Sequence, residues 1–412
     1  MQGFTSGELA SREHALKRLA DYVPHAGHTY GAKRNFDLGV GQHRFVSRLS
    51  PYIRHRLISE QEVVAAVLRA HSASAADKFI QEVCWRTYWK GWLEQRPQVW
   101  ADYLADLDDV RAGLRTDDAL AAELAAAERG DTGIACCDAW ARELGGTGYL
   151  HNHARMWFAS LWIFTLRLPW VLGADFFYRH LLDGDPASNT LSWRWVAGLH
   201  TRGKPYLARA DNISTYTQGR FTPVRNDLAP FASPLSDDRS YARVPLPPSD
   251  PVPDRARVVL LVTEDDLSPE TWTLGNAEVV GVALFEPQAA EPALSSLVRA
   301  FKIGAMTDAG TRSLARWGKP VSAVTTRDDM KAFATACEAR AVVTARPPTG
   351  YVQAALARWT GDAAAAAAPV LHIQRRWDDL FWPHARAGFF QLKEHIPIVL
   401  KQLRIATPGP SP

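Results

Sequence analysis

Residues 183–195, DGDPASNTLSWRW, decide how the first half of the chain is read. Asp183 and Asp185 put two carboxylates one residue apart, Asn189 adds an amide, and Trp193 and Trp195 add two indoles. Acceptors, an amide and redox-active rings this close together suit a flat, electron-carrying heteroaromatic ligand whose ring N–H groups need acceptors. The same letters also read as a helix end with a DG turn, followed by a buried aromatic strip. The flanking sequence has to choose between the two.

Outward on the N-terminal side, the pattern is helical throughout. Residues 175–182 and 153–168 carry a helical period, the latter apolar nearly all round and therefore central, with Trp170 following Pro169 at its end. Residues 138–144 read as a further helix, and the Ala- and acid-rich residues 111–130 as an exposed helix pair or long loop. Residues 77–94, DKFIQEVCWRTYWKGWLE, set Trp85, Trp89 and Trp92 at steps of four and three, an aromatic stripe along one helix. Glu82 brings a carboxylate onto that stripe, where a buried acid needs a partner; Arg86 and Arg155 are the candidates. Farther out, Ser59 and Glu62 spell a capping box, Ser50 with Pro51 reads as an N-cap and N1 pair, and residues 11–21 form a short helix. The glycines Gly39 and Gly41 make no dinucleotide fingerprint, because no strand precedes them.

On the C-terminal side, residues 233–256 hold Pro234, Pro245, Pro247, Pro248, Pro251 and Pro253, a stiff extended linker. Beyond it the period changes. Apolar runs starting at 257, 279, 321, 341 and 370 alternate with helical stretches near 290–301, 308–317, 327–340 and 350–360, the pattern of a parallel sheet covered by helices. The alanine run 363–368 reads as a solvated loop or helix end. No GxGxxG, P-loop or GxSxG motif gives this half a chemistry of its own. The expected architecture is multidomain: an all-α domain over residues 1–232, the linker 233–256, and an α/β domain with a mainly parallel sheet over 257–405.

A 412-residue chain, 47% hydrophobic and 22% charged, fits a soluble protein of more than one domain. It lacks an apolar run of about 18 residues, so no membrane span is expected. The first residues lack the basic patch and apolar core of a signal peptide, which makes the cytoplasm the expected compartment. Cys84, Cys136, Cys137 and Cys337 have no CxxC spacing, which argues against a metal site or disulfide framework and makes them small core residues. Two basic stretches stand out. Lys33, Arg34, Arg44, Arg48, Arg54 and Arg56 face only Asp37, and Arg194, Arg202, Lys204, Arg209, Arg220 and Arg225 face only Asp211. They suit a polyanion or a phosphorylated cofactor, or are solvated loop charges.

Taken together, these motifs resemble the flavin-binding helical domain of the photolyase/cryptochrome family over residues 30–223. The family pattern D-G-D-x-A-x-N with W-x-W stands as Asp183, Gly184, Asp185, Ala187, Asn189, Trp193 and Trp195. Its T-S-R-L-S segment stands as Ser47, Arg48, Leu49 and Ser50, with Val46 replacing Thr. Y-x-x-x-R-x-F matches Tyr30, Arg34 and Phe36; E-x-x-W-R matches Glu82, Trp85 and Arg86; H-N-x-x-R-M matches His151, Asn152, Arg155 and Met156. The resemblance implies a non-covalent, U-shaped FAD held by Tyr30, Ser47, Arg48, Leu49, Ser50, Glu82, Arg86, Asn152 and Arg155. It pairs Asp183 with Arg155, makes Asp185 the acceptor of a flavin ring N–H and sets Asn189 at N5.

It further implies that Glu82, Trp85, Asn152, Met156 and Trp195 receive a flipped cyclobutane pyrimidine dimer of UV-damaged DNA, a damaged pair being cheap to extrude. Trp193 and Trp170 match two members of an electron-transfer chain; Asp117 falls near the third, so the last step either uses another ring, Trp100 or Trp140, or is missing. The family's α/β antenna domain precedes its helical domain, so residues 257–405 read as a circularly permuted, antenna-like unit, with any second chromophore undetermined. The implied activity is that of a lyase, light-driven dimer repair by electron transfer. The alternatives are a cryptochrome-like blue-light photoreceptor acting on a signalling protein without repair, and a flavoprotein that has lost its light chemistry.

Overall fold

Ser11 accepts a hydrogen bond from His14 N and opens the first helix of the computed structural model, which describes residues 9–224, 227–286, 292–360 and 368–405. The helical half runs α1 (Arg12–Tyr22), α2 (His28–Lys33), α3 (Ser50–Arg54), α4 (Glu60–Ala70), α5 (Ala73–Glu94), α6 (Gln98–Leu114), α7 (Asp118–Arg129), α8 (Ala135–Thr147), α9 (Asn152–Ser160), α10 (Trp170–His180), α11 (Pro186–Val196) and α12 (Ala210–Tyr216). Among the described residues no strand precedes Arg257. The Ser59/Glu62 capping box forms and starts α4. Ser50, by contrast, is the first residue of α3 rather than its cap, a position taken by Leu49. The apolar stretch expected to be one helix over 153–168 leaves α9 for a wider π-turn, Leu161–Thr165.

The second half contains β1 (Arg257–Val262), β2 (Glu278–Phe285), α13 (Ser296–Trp317), β3 (Val321–Val324), α14 (Arg327–Ala336), β4 (Ala341–Ala345), α15 (Tyr351–Thr360), β5 (Val370–Ile373), α16 (Arg376–Phe381) and α17 (Phe389–Gln402). The two helices expected within 290–317 are one, α13; residues 287–291 and most of the alanine run lie outside the described residues. All strand pairs are parallel and the order is β3-β2-β1-β4-β5. Central β1 is buried on both faces from Val258 to Val262, as a helix-covered parallel sheet requires.

The chain direction switches between β1 and β4, where doubly wound sheets open a ligand crevice at the strand ends. Here the helical half fills that crevice. Arg54, Asp185 and Pro186 meet Asp265, Thr349 and Gly350 around a void of about 10 Å³, room for little more than one water. A Cβ on Gly350 would lie 2.6 Å from Pro186 Cγ, so this approach needs glycine.

A buried network of charges joins the halves. Arg54 pairs with Asp265, and Arg56 donates to both oxygens of Asp378 at 2.8 and 2.7 Å and lies 3.5 Å from Asp266. Arg375 binds Asp266 at 2.6 Å. Arg54 and Arg56 are 1% and 4% exposed, so these members of the first basic stretch are interface residues and offer nothing to a polyanion outside. Arg194, at 4%, is likewise removed from the second, and Arg225 lies outside the described residues. Trp377 donates to Thr87 Oγ1 at 2.9 Å, and Trp382 lies so close to α5 that a Cβ on Gly91 would come within 2.7 Å of its ring. Of the cysteines, Cys84, Cys136 and Cys137 are core residues as expected, whereas Cys337 is only half-buried. Among the described residues no helix is long and apolar enough to cross a membrane.

Candidate flavin-type site and its aromatic flank

The DGD turn is built to aim two carboxylates inward. Gly184 is fixed by space, because a Cβ there would meet Tyr178 O at 2.9 Å. Asp185 caps α11, accepting from Ser188 N at 2.7 Å, with Pro186 as the first helical residue. Asp183, 5% exposed, accepts from Arg155 Nη2 at 3.0 Å on Oδ2, with Arg86 Nη2 3.8 Å from the same oxygen. Burial alone would raise the Asp183 pKa; the charges of Arg155 and Arg86 overcome it and hold the carboxyl below its usual range. Asp183 Oδ1 and Arg86 Nη1 are both buried and have no hydrogen-bond partner among the described residues.

Asp185, to which the resemblance gives a flavin ring N–H, is also held within the protein. Its Oδ2 lies 3.5 Å from Lys90 Nζ and 3.7 Å from Arg54 Nε, both cations being 1% exposed. Its Oδ1 takes the cap bond, and Arg54 continues to Asp265.

The loop before α3 is pinned from beneath. Asp37 accepts from Trp140 Nε1 at 2.9 Å and Arg220 Nη2 at 2.6 Å, and His43 Nε2 lies 2.7 Å from Glu143. Arg48 takes a left-handed backbone (φ 53°), and Ser47 Oγ accepts from Leu49 N at 3.3 Å. The Tyr149 ring is bracketed by the guanidiniums of Arg48 at 5.1 Å and Arg155 at 5.8 Å. Tyr149 thus ties the 47–50 loop to the Asp183 cluster, and the Ser50 hydroxyl helps to hold the Asp183 charge. Tyr30, 9% exposed, packs edge-on against Phe79 at 5.1 Å. Asn189 Nδ2 donates to Ala174 O at 2.7 Å, which orients its amide. Sequence reasoning missed Tyr149, although it stands two residues before the H-N-x-x-R-M motif. It also missed Lys90, whose signal was its place four residues after Arg86, on the same helix face.

Flanking this cluster, the α5 stripe is covered from far away in sequence. Trp85 stacks on Phe389 of α17 with centroids 3.8 Å apart and 12° between planes, and Trp89 lies 5.4 Å from it. No local pattern announces Phe389. Glu82 is not the deeply buried acid expected: its side chain is 39% exposed and its cation is Arg34 at 3.6 Å, not Arg86 or Arg155. Asn152 is exposed and Met156 half-buried on α9, while Trp195 stacks on Tyr206 at 5.5 Å. Helix α11 packs against both α5 and α9, the other two helices that carry these residues.

Trp193 is 2% exposed and lies edge-on to Trp162. Beyond Trp170 the rings continue through Tyr103 at 5.6 Å to Trp100 at 5.2 Å and Tyr351 at 5.0 Å. Trp140 instead stacks on Trp157 and is bonded to Asp37, so of the two indoles considered as the third ring, Trp100 is the one in line with Trp170.

Residues 79–222 match the family described as the FAD binding domain of DNA photolyase. The chain is 30% identical over 244 residues to a deoxyribodipyrimidine photo-lyase of Alkalihalophilus pseudofirmus, an alignment covering 59% of this chain and 46% of that protein. It is 36% identical over 182 residues to the enzyme of that name from Streptomyces griseus, covering 44% and 37%. Among solved structures, a bacterial class III photolyase from Agrobacterium tumefaciens aligns with a TM-score of 0.41 and 27% identity, covering 50% of this chain and 43% of that one. The chain spans less than half the length of each of these proteins.

Proposed function

The helical half of the chain belongs to the photolyase/cryptochrome family, and on that premise we propose that the protein binds FAD and uses blue or near-UV light to split cyclobutane pyrimidine dimers in DNA. The observation that carries the flavin reading is the pair of partnerless buried atoms in one ion cluster, the acceptor Asp183 Oδ1 and the donor Arg86 Nη1. Such atoms are costly unless a ligand or water completes them, and a flavin ring carries both an N–H and carbonyl oxygens. FAD, when bound, supplies the light absorption and the transferable electron. The chain's part is to hold and shield it. Asp183 and Arg86 would fix the ring edge, Arg155 and Arg48 would neutralise negative charge beside Tyr149, and the Ser47 hydroxyl would face the cofactor's polar arm while Ser50 supports Asp183. Trp85 offers an apolar face to an extruded base, and Glu82, still solvated, donates or accepts at a pyrimidine edge. The rings from Trp170 through Tyr103 to Trp100 support the outer part of an electron route toward the second half.

Loss of dimers from an irradiated oligonucleotide, with a dark control, tests this directly. Light-dependent repair is expected, and Glu82→Ala is expected to lower the yield while leaving the flavin absorption unchanged. A flavin spectrum without any repair would remove the enzymatic reading.

One observation favours the second reading, a photoreceptor without repair: the Trp85 face is already occupied by Phe389. Phe389→Ala removes the covering ring, with an expected stability cost of about 3–5 kcal/mol. It should raise affinity for dimer-containing DNA by uncovering Trp85. Unchanged affinity would mean that no lesion uses that face.

A further inference from the structure

Residues 264–268, which follow β1, run alongside residues 54–57 at the end of α3. Leu267 N donates to His55 O at 2.9 Å, and Ser268 Oγ donates to Arg56 O at 2.7 Å. His55 Nδ1 lies 2.8 Å from Glu264 O. Burial and the charges of Arg54 and Lys302 lower the His55 pKa to about 3, so the ring is neutral and its Nδ1–H donates to that carbonyl. The second half of the chain thus grips the first just past the 47–50 loop.

Arg54 carries that grip to the DGD turn. Its Nε donates at 2.7 Å to Gly184 O, the carbonyl between the two acids, and lies 3.7 Å from Asp185 Oδ2. The other end of the guanidinium faces the second half, where Nη1 pairs with Asp265 and Nη2 reaches Glu264 Oε1 at 3.4 Å. Glu264 is shared with Lys302 Nζ at 2.8 Å, so Asp265 is the carboxylate that Arg54 holds most closely.

Three carboxylates therefore surround one buried guanidinium at unequal distances. At 3.7 Å Asp185 is an ion partner of Arg54 that receives no hydrogen bond from it, and Oδ1 stays on the cap of α11. Without the Asp265 charge, a guanidinium that cannot be deprotonated has to be balanced by Asp185 and Glu264. Asp185 would close on Arg54, Nε would leave Gly184 O, and the turn that carries Asp183 would move with them. Binding groups have to be held within about 0.5 Å of their working positions, so such a movement is enough to spoil a site.

We propose that Asp265 is a positioning residue of the flavin-type site: from the second half of the chain it fixes Arg54, and Arg54 fixes the turn that aims Asp183. The α/β half is then a working part of the site rather than an appended unit. The proposal rests on the flavin reading above, but its hold on the turn is measurable without the cofactor.

Three measurements on the full-length protein test it: titration with FAD, the thermal unfolding midpoint, and amide hydrogen exchange over residues 183–189. In that stretch Gly184 N, Ser188 N and Asn189 N are bonded to Leu181 O, Asp185 Oδ1 and Asp185 O. Asp265→Asn should weaken FAD about tenfold and speed exchange over 183–189 more than elsewhere in the chain. Asp266→Asn is the matched control, since it removes a charge that faces Arg375 and Arg56 and, among the described residues, has no bond to Gly184 or Asp185. It should lower the midpoint and leave FAD affinity within about twofold of wild type. Glu264→Gln, at a half-buried position where folding is expected to survive, should act in the direction of Asp265→Asn with a smaller loss. Asp265→Glu, which keeps the charge, should recover most of the affinity. FAD affinity that falls in step with the midpoint in Asp265→Asn and Asp266→Asn alike, or that is unchanged in both Asp265→Asn and Glu264→Gln, would overturn the proposal. Wild-type protein that binds no FAD would instead overturn the flavin reading. Exchange over 183–189 then decides Asp265 by itself, and exchange unchanged in Asp265→Asn would overturn its hold on the turn.

Discussion

Asp183→Ala protein is expected to purify with little or no flavin, whereas Asp185→Ala is expected to lose stability first. Among the described residues Asp183 is the counter-charge that Arg155 and Arg86 share, and its Oδ1 is a buried acceptor without a hydrogen-bond partner there. Removing it leaves two guanidiniums facing each other and takes away the hydrogen bond that a ring N–H would make. A bond to a charged acceptor contributes about 1.5–3 kcal/mol, so FAD affinity should fall roughly 10- to 100-fold. Asp183→Asn keeps the shape and removes the charge, and should fall between wild type and Asp183→Ala. Asp185 is a helix cap worth about 1 kcal/mol that also balances Lys90 and Arg54. Its loss therefore shows in the unfolding midpoint, and in flavin content only through unfolding. Measuring flavin occupancy and midpoint for each variant decides the matter. A flavin-replete Asp183→Ala protein, or an Asp185→Ala protein of normal stability without flavin, would return the ring contact to Asp185.

What the sequence made legible follows from the range of its signals. Helical period, the Ser59/Glu62 box and the change to short apolar runs after the proline-rich segment are local, and they gave the all-α half, the five strands and the boundary region between them. The motifs around Asp183, Arg155 and Ser50 were readable because each is short, and the structure brings these three together. Long-range pairings left no such mark. Arg54 and Arg56 look like the solvated cations of a basic loop until Asp265, Asp266 and Asp378 arrive from more than 200 positions away. Phe389 lies in a helix with nothing in its neighbours to say that it stacks on Trp85. Glu82 misled in the opposite direction: its spacing put it on the aromatic stripe, but at the edge where Arg34 and water reach it. The resemblance set Asp183 on Arg155 and Asp185 on a flavin N–H, but nothing local announced that Lys90 and Arg54 would also stand beside Asp185.

Arg56→Ala is expected to destabilise the protein by about 3–5 kcal/mol at neutral pH, the cost of leaving buried charges without their partner. Arg56 is fully enclosed, adopts a left-handed backbone (φ 47°) and faces three carboxylates, those of Asp378, Asp266 and Glu60. Asp266 retains Arg375, and Glu60 keeps the charges of Lys90 and Arg86, but among the described residues no second guanidinium pairs with Asp378. The sign of the pH dependence separates this account from simple loss of packing. In the wild type, Arg375 and Arg56 outweigh burial and push Asp266 down to about 2. A folded pKa below the unfolded one gives stability that is present above about pH 4 and disappears as pH falls through the folded value. Asp378 already has a raised pKa through burial and the nearby Glu60 charge, despite Arg56. Without Arg56, Asp378 must move further up, and Glu60, which Arg56, Lys90 and Arg86 hold below its usual range, must move up from there. Groups with raised folded pKa values destabilise when ionised and stop doing so once protonated. The deficit of Arg56→Ala relative to wild type should therefore shrink as pH is lowered from 7 toward 5, although wild-type stability itself does not rise in parallel. Arg56→Met, which restores volume without charge, should follow the same trend with a smaller offset. Thermal unfolding of the three proteins across that range is the measurement, and a deficit independent of pH would mean that Arg56 works through packing alone.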